Sequence, residues 1–115
     1  MAQDISRSEV QQMYADRCVH LVDVSPAKAY RACHLPAAIN IPIESEFDEQ
    51  VQRRLPHKHL HVVVYSLDAE CRASPIAALR MRALGYAHVY RYEAGKADWI
   101  SAGLPFELGA DKAAD

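Results

Sequence analysis

The sequence predicts a single α/β domain built on a mostly parallel sheet. Short apolar runs alternate with amphipathic stretches along its length, the pattern of successive strand–helix units. One run, His61-Val-Val-Val-Tyr65, is β-branched and too short for a typical helix, as in a strand buried on both faces. After a short loop comes Pro75-Ile-Ala-Ala-Leu-Arg-Met-Arg-Ala-Leu84, the longest helical stretch. Ser74 is its expected N-cap and Pro75 suits a first turn. Ile76, Leu79, Met81, Ala83 and Leu84 are expected mostly on its inner side.

Each element has a local signal. Ser6-Arg-Ser-Glu9 is a capping box, and Val10, Met13 and Tyr14 follow at helical spacing, so a helix is expected over 6–15. Val19-His-Leu-Val-Asp-Val24 reads as a central strand, preceded by Cys18 as a buried small hydrophobe. Asp23 interrupts that strand, and a carboxylate there needs partners. The favoured role is an acid that pins neighbouring loop amides rather than a catalytic group. Ser25 and Pro26 open a short helix over 25–32, as cap and first residue. The segment from Cys33 to Pro42 is a turn feeding a strand at 38–41.

Residues 46–55 form a helix with Phe47, Val51 and Leu55 inward, closed by Pro56. Gly85 fits a helix C-terminus, and His88-Val-Tyr-Arg-Tyr92 alternates as a strand. Ala94-Gly95 is a turn before a last helical piece over 97–102 carrying Trp99. Gly103-Leu-Pro-Phe-Glu107 leaves the core, which spans about 5–107, and 108–115 is a polar tail expected to fray.

At 115 residues the chain is long enough for one core and not for two. A formal charge of −2 offers no basic face to nucleic acid. No apolar run reaches membrane-spanning length, and the N-terminal residues lack a signal-peptide layout, so a cytoplasmic protein with no membrane partner is expected. Cys18, Cys33 and Cys71 are too scattered for a disulfide framework and lack zinc-site spacing. His57, His59 and His61 alternate, but two lie in a turn, and a solvated reading is preferred to a metal site. No metal or cofactor is expected.

Chemistry is expected in the loop formed by Ser66, Leu67, Asp68, Ala69, Glu70, Cys71, Arg72, Ala73 and Ser74. Amides at a helix N-terminus point outward and favour negative charge, so this loop is a candidate anion-binding site needing no special side chain. Its amides are expected to converge on one point and to take sulfate, chloride or thiosulfate weakly.

The order of motifs resembles the rhodanese-like (sulfurtransferase) domain family over residues 5–107. The carriers are Leu21-Val-Asp-Val24, Ala29-Tyr30, His34-Leu-Pro36, Ala38-Ile-Asn-Ile-Pro42 and Val62-Val-Val-Tyr65. Downstream come Leu84-Gly-Tyr86, Val89-Tyr90, Gly95-Lys-Ala-Asp-Trp99 and Ala102-Gly-Leu-Pro105. The resemblance implies a central, mostly parallel five-stranded sheet with helices on both sides. It also implies sulfur transfer, with Asp23 and His34 in support. A loop cysteine takes sulfane sulfur from a thiosulfate-like anion, holds it as a persulfide and passes it to a thiol or persulfide acceptor, often a protein. The thiolate is the nucleophile, stabilised by loop amides and the helix N-terminus.

The chain departs from that pattern at Ser66, where the resemblance implies the cysteine. A serine hydroxyl cannot hold a stable persulfide, and no histidine lies beside it in sequence as a base. Milder departures are Cys33 and Ala37 near the His-Leu-Pro turn, Ser25 in place of an arginine, and Ala94 in place of a glycine. Cys71-Arg-Ala-Ser74 matches a branch of the family with a second loop cysteine, which serves there as a resolving thiol or disulfide partner. Alone, Cys71 near a helix start and next to Arg72 has surroundings that favour a thiolate. A leftover thiol packed against the helix is preferred to a relocated sulfur carrier. Ser66-x5-Arg72 also has the layout of the enlarged loop in related cell-cycle phosphatases and arsenate reductases, but Asp68 and Glu70 oppose a dianion and Tyr65 stands in place of their histidine. The expectation is therefore a sulfurtransferase-type domain inactive through Ser66. A non-catalytic anion-binding or protein-interaction module is one alternative, and a thiol relocated to Cys71 is another.

Overall fold

The computed structural model of the protein describes residues 3–16, 19–44 and 46–111. Along them run β1 (Gln3–Asp4), α1 (Arg7–Ala15), β2 (His20–Asp23), α2 (Ala27–Ala32), β3 (Ile39–Asn40), α3 (Phe47–Arg54), β4 (His61–Tyr65), α4 (Ala73–Ala83), β5 (His88–Tyr92) and α5 (Gly95–Ser101). The strands make one sheet in the order β1-β5-β4-β2-β3, with each neighbouring pair parallel. A single five-stranded α/β domain results.

The unbroken apolar run of β4 is explained by helices on both faces. Side chains alternate along a strand, so Val62 and Val64 join Phe47, Val51, Ala77, Ala78 and Met81 beneath α3 and α4. Val63 and Tyr65 point the other way, into a cluster with Val10, Tyr30 and Trp99 from α1, α2 and α5. Phe47, Val51 and Leu55 are all buried, and α4 is the longest helix among the described residues, as the sequence predicts. The capping box at α1 is formed: Glu9 N donates to Ser6 Oγ at 3.3 Å and Ser6 N donates to Glu9 Oε1 at 2.9 Å. No described helix is long and apolar enough to cross a membrane.

Several local expectations are corrected. Helix α4 begins at Ala73, with Arg72 at the N-cap, so Ser74 is not the cap but a buried residue of the first turn. Its inner face is Ser74, Ala77, Ala78 and Met81, while Ile76, Leu79 and Ala83 face outward. In this i, i+3, i+4, i+7 set the small Ser74, Ala77 and Ala78 let the first turns of the helix lie close to the sheet, and Met81 fills the space beneath the later turn. Ser25 does not cap α2 either; Pro26 stands at that N-cap, and Ser25 bonds Asp23 instead. Helix α5 begins at Gly95, two residues before the expected start. Strand β1 had no sequence signal of its own, being two exposed residues laid beside β5. The readings of Cys18 and of residues 112–115 lie outside the described residues.

The expected fraying from 108 onward does not hold as far as Asp111. Gly109 N donates to the Arg31 carbonyl at 2.9 Å, and Asp111 Oδ2 accepts the Asn40 amide at 2.7 Å and pairs with Arg54 at 2.8 Å. With side chains only 14% and 7% exposed, Arg54 and Asp111 form a pair largely out of water. Asp111→Ala leaves the Asn40 edge-strand amide without its acceptor and takes the carboxylate from Arg54, which keeps the Asn40 carbonyl, and is expected to cost about 1–3 kcal/mol. Leu108→Ala, at a residue 68% exposed, is expected to change stability by less than about 0.5 kcal/mol. Urea denaturation of both variants checks this; equal midpoints would mean that the segment contributes nothing.

Candidate functional site: the loop after β4

Helix α2 leaves β2 toward one face of the sheet and α4 leaves β4 toward the other, although β2 and β4 are neighbours. The crevice outside such a switch in direction, at the carboxyl ends of parallel strands, is where open α/β sheets bind ligands. Residues 66–72 occupy it and belong to neither strand nor helix.

Ser66 follows Tyr65 directly and is 1% exposed. Its Oγ lies 3.0 Å from Cys71 Sγ, and the two share a hydrogen bond. The loop thus folds back on itself, bringing together the two residues that sequence reasoning weighed as carriers of chemistry. Leu67, Ala69, Glu70 and Arg72 are exposed, while Asp68 and Cys71 are half-buried. Two of the expected converging amides do converge, but on a group of the chain itself. Asp68 Oδ1 accepts from Glu70 N at 3.0 Å and from Cys71 N at 3.1 Å. Ala73 and Ser74 stand in the first turn of α4.

The loop rests on the start of α5. The first amides of a helix have no partner within it, and here Lys96 N donates to the Ser66 carbonyl at 3.0 Å and Ala97 N to the Leu67 carbonyl at 2.8 Å. So close an approach requires glycine at position 95. Its φ is +72°, and a Cβ there would stand 2.7 Å from the Ser66 oxygen and 2.8 Å from the Leu67 carbonyl atoms.

Beneath the loop lies a buried charge pair. Lys96 Nζ is 3.0 Å from Asp23 Oδ2, with side chains 2% and 0% exposed. The ammonium also donates to the carbonyls of Cys33 at 2.8 Å and Ala29 at 3.2 Å, and reaches Ser25 Oγ at 3.4 Å. Asp23 Oδ1 accepts from Ser25 N at 2.9 Å and from Ser25 Oγ. Asp23 therefore ties the end of β2 to α2 and, through Lys96, to the segment that carries the loop. The buried Tyr65 phenol is pushed well above its ordinary value, first by burial and then by the Asp23 charge; its oxygen accepts the Leu35 amide at 3.0 Å.

His34 serves the scaffold. Its ring stacks on Tyr30 at 3.7 Å, Nδ1 lies 2.8 Å from the Tyr30 carbonyl, and Nε2 lies 3.7 Å from Glu107. Among the described residues no three His, Cys, Asp or Glu side chains gather as a metal site. Sequence reasoning missed Lys96 and Gly95. The need of Asp23 for a partner was legible, but nothing local assigned that partner to a lysine 73 positions downstream.

The family model of the rhodanese-like domain matches residues 6–102. The chain belongs to the rhodanese-like domain family. This rhodanese-like domain is 36% identical over 106 residues to the HTH-type transcriptional regulator Rv0324 of Mycobacterium tuberculosis, covering 92% of the chain and 45% of that protein. The chain thus spans under half the length of that curated relative. It is similar in structure to thiosulfate sulfurtransferase from Pseudomonas aeruginosa, with a TM-score of 0.81 and 26% identity over 93% of this chain and 20% of that one. It is also similar to a structure described as rhodanese with anions from E. coli, with a TM-score of 0.66 and 30% identity over 79% of this chain and 99% of that one.

Proposed function

We propose that this rhodanese-like domain keeps a sulfurtransferase scaffold but does not transfer sulfane sulfur at Ser66, and acts as a binding or regulatory module. The observation that carries the reading is Ser66 itself. It follows the central strand, where the family resemblance implies the sulfur-carrying cysteine, and its hydroxyl is bonded to a thiol rather than to a base. An unactivated serine is a poor nucleophile and holds no persulfide. The similarity to a transcriptional regulator supports the regulatory part. In this reading the ligand is a small sulfur species or a protein thiol, and the setting is the cytoplasm.

A second reading is favoured by the 3.0 Å contact that brings the Cys71 thiol to Ser66. There the Cys71 thiolate attacks the outer sulfur of a thiosulfate-like donor. A new S–S bond forms, the donor's S–S bond breaks, and sulfite leaves with the electron pair. Thiocyanate formation from thiosulfate and cyanide separates the two. The chain is expected to run at background, Ser66→Cys to gain at least about tenfold, and Cys71→Ser to leave the background unchanged. Activity of the unmodified chain that disappears in Cys71→Ser would move the sulfur carrier to Cys71 and overturn the first reading.

A further inference from the structure

We propose that His34 Nε2 and the Glu107 carboxylate form a two-ligand site for a divalent transition cation, which clasps residues 107–111 to the turn after α2. The two residues face each other in an isolated antiparallel bridge. His34 N donates to the Glu107 carbonyl at 2.9 Å, and Glu107 N donates to the His34 carbonyl at 2.8 Å. Their side chains line one cavity of about 410 Å³ with Tyr30, Ala38, Ile39 and Leu108. The His34 side chain is 4% exposed and that of Glu107 is 53% exposed, so one ligand is buried and the other is open to an arriving ion. Nothing in this depends on the reading of loop 66–72.

The ring stack and Nδ1 tie His34 to the scaffold, and Nε2 is left over. A carbonyl only accepts, so Nδ1 donates its proton to the Tyr30 carbonyl at 2.8 Å, and Nε2 carries the lone pair of the neutral ring. Metal-binding imidazoles are held by just such a bond from the other nitrogen. Nε2 meets Glu107 Oε1 only at 3.7 Å, beyond hydrogen-bond length. Two ligands about 2.1 Å from a tetrahedral zinc stand about 3.4 Å apart, so a small closing of the gap seats the ion. The carboxylate is also oriented, because Glu107 Oε1 accepts the Ala37 amide at 3.2 Å. Asp111 lines the same cavity, but its carboxylate is engaged by Arg54 and the Asn40 amide and is not counted as a ligand. The remaining positions fall to water, which leaves the ion exchangeable. An imidazole in the set favours zinc, nickel or copper over magnesium or calcium.

Zinc titration of the full chain, read by the side-chain nitrogen resonances of its histidines, tests this without any activity readout. Mildly alkaline pH is used, where protons compete least for the ring. His34 Nε2 is expected to shift saturably with added zinc. In Glu107→Gln, which keeps an acceptor for the Ala37 amide at a half-exposed position, the apparent affinity at His34 is expected to fall at least about tenfold. Glu93→Gln, at an exposed carboxylate paired with Arg91, is the control and is expected to leave that affinity unchanged. Each histidine reports separately, so zinc held elsewhere is not mistaken for zinc at His34. An unshifted His34 at millimolar zinc, zinc taken only by other histidines or the cysteines, or equal affinity in Glu107→Gln would overturn the proposal. None of these outcomes bears on whether Ser66 transfers sulfur, which the thiocyanate assay decides separately.

Discussion

Lys96→Met lowers the unfolding free energy by an expected 3–5 kcal/mol, roughly the cost of leaving one member of a buried ion pair without the other. Methionine can follow the path of the lysine stem, so the loss is one of charge and hydrogen bonds rather than of volume. Asp23, fully buried, keeps the neutral donors of Ser25 and the Tyr65 phenol but loses its only positive charge, and the carbonyls of Ala29 and Cys33 lose a donor. Adding Asp23→Asn on the Lys96→Met background removes the stranded charge and is expected to restore at least half of the loss. Guanidinium denaturation of the two variants measures both numbers. A Lys96→Met protein as stable as the parent would show that the pair does not hold the site together.

Gly95→Ala is the second large effect. Two penalties add: a left-handed backbone conformation carrying a Cβ, about 1–2 kcal/mol, and overlap with the Ser66 and Leu67 carbonyls, about 1–3 kcal/mol more. Gly103 supplies the control, because its φ is +75° but nothing lies within 4 Å of its added Cβ. Gly103→Ala should cost the backbone part alone. If the two variants lose equal stability, the close approach of α5 to the loop is not a tight one. A larger loss in Gly95→Ala, with shifted Ser66 and Leu67 amide resonances, is the expected result.

The elements that could be read from the sequence are those whose signals are local. The run Val62-Val-Val-Tyr65 needs no partner to declare itself a strand buried on both sides, and Ser6 with Glu9 form a cap within one turn. Loop 66–72 was legible as the junction of such a strand and a helix. Its internal wiring was not, because Ser66 and Cys71 meet only once the loop closes, and the sequence presents Asp68 as a charge opposing a dianion, with no sign that it accepts from amides of its own loop. The inner face of α4 was misjudged for a related reason. Hydrophobicity ranks Ile76 and Leu79 above Ala77 and Ala78, yet close packing on the sheet selects for size. Lys96 and β1 depend wholly on tertiary placement.

The carboxylate of Asp111 has a consequence for how this sheet meets other molecules. The outward amide of β3 is a donor that an additional strand would need, and it is already taken by a group that offers only acceptors and is held by Arg54. At the opposite edge β1 is two residues long, and Asp4 is engaged with Arg91 of the neighbouring strand. Short, charge-guarded edges of this kind do not template strand addition. Among the described residues, both edges of the sheet are thus poor templates for an added strand.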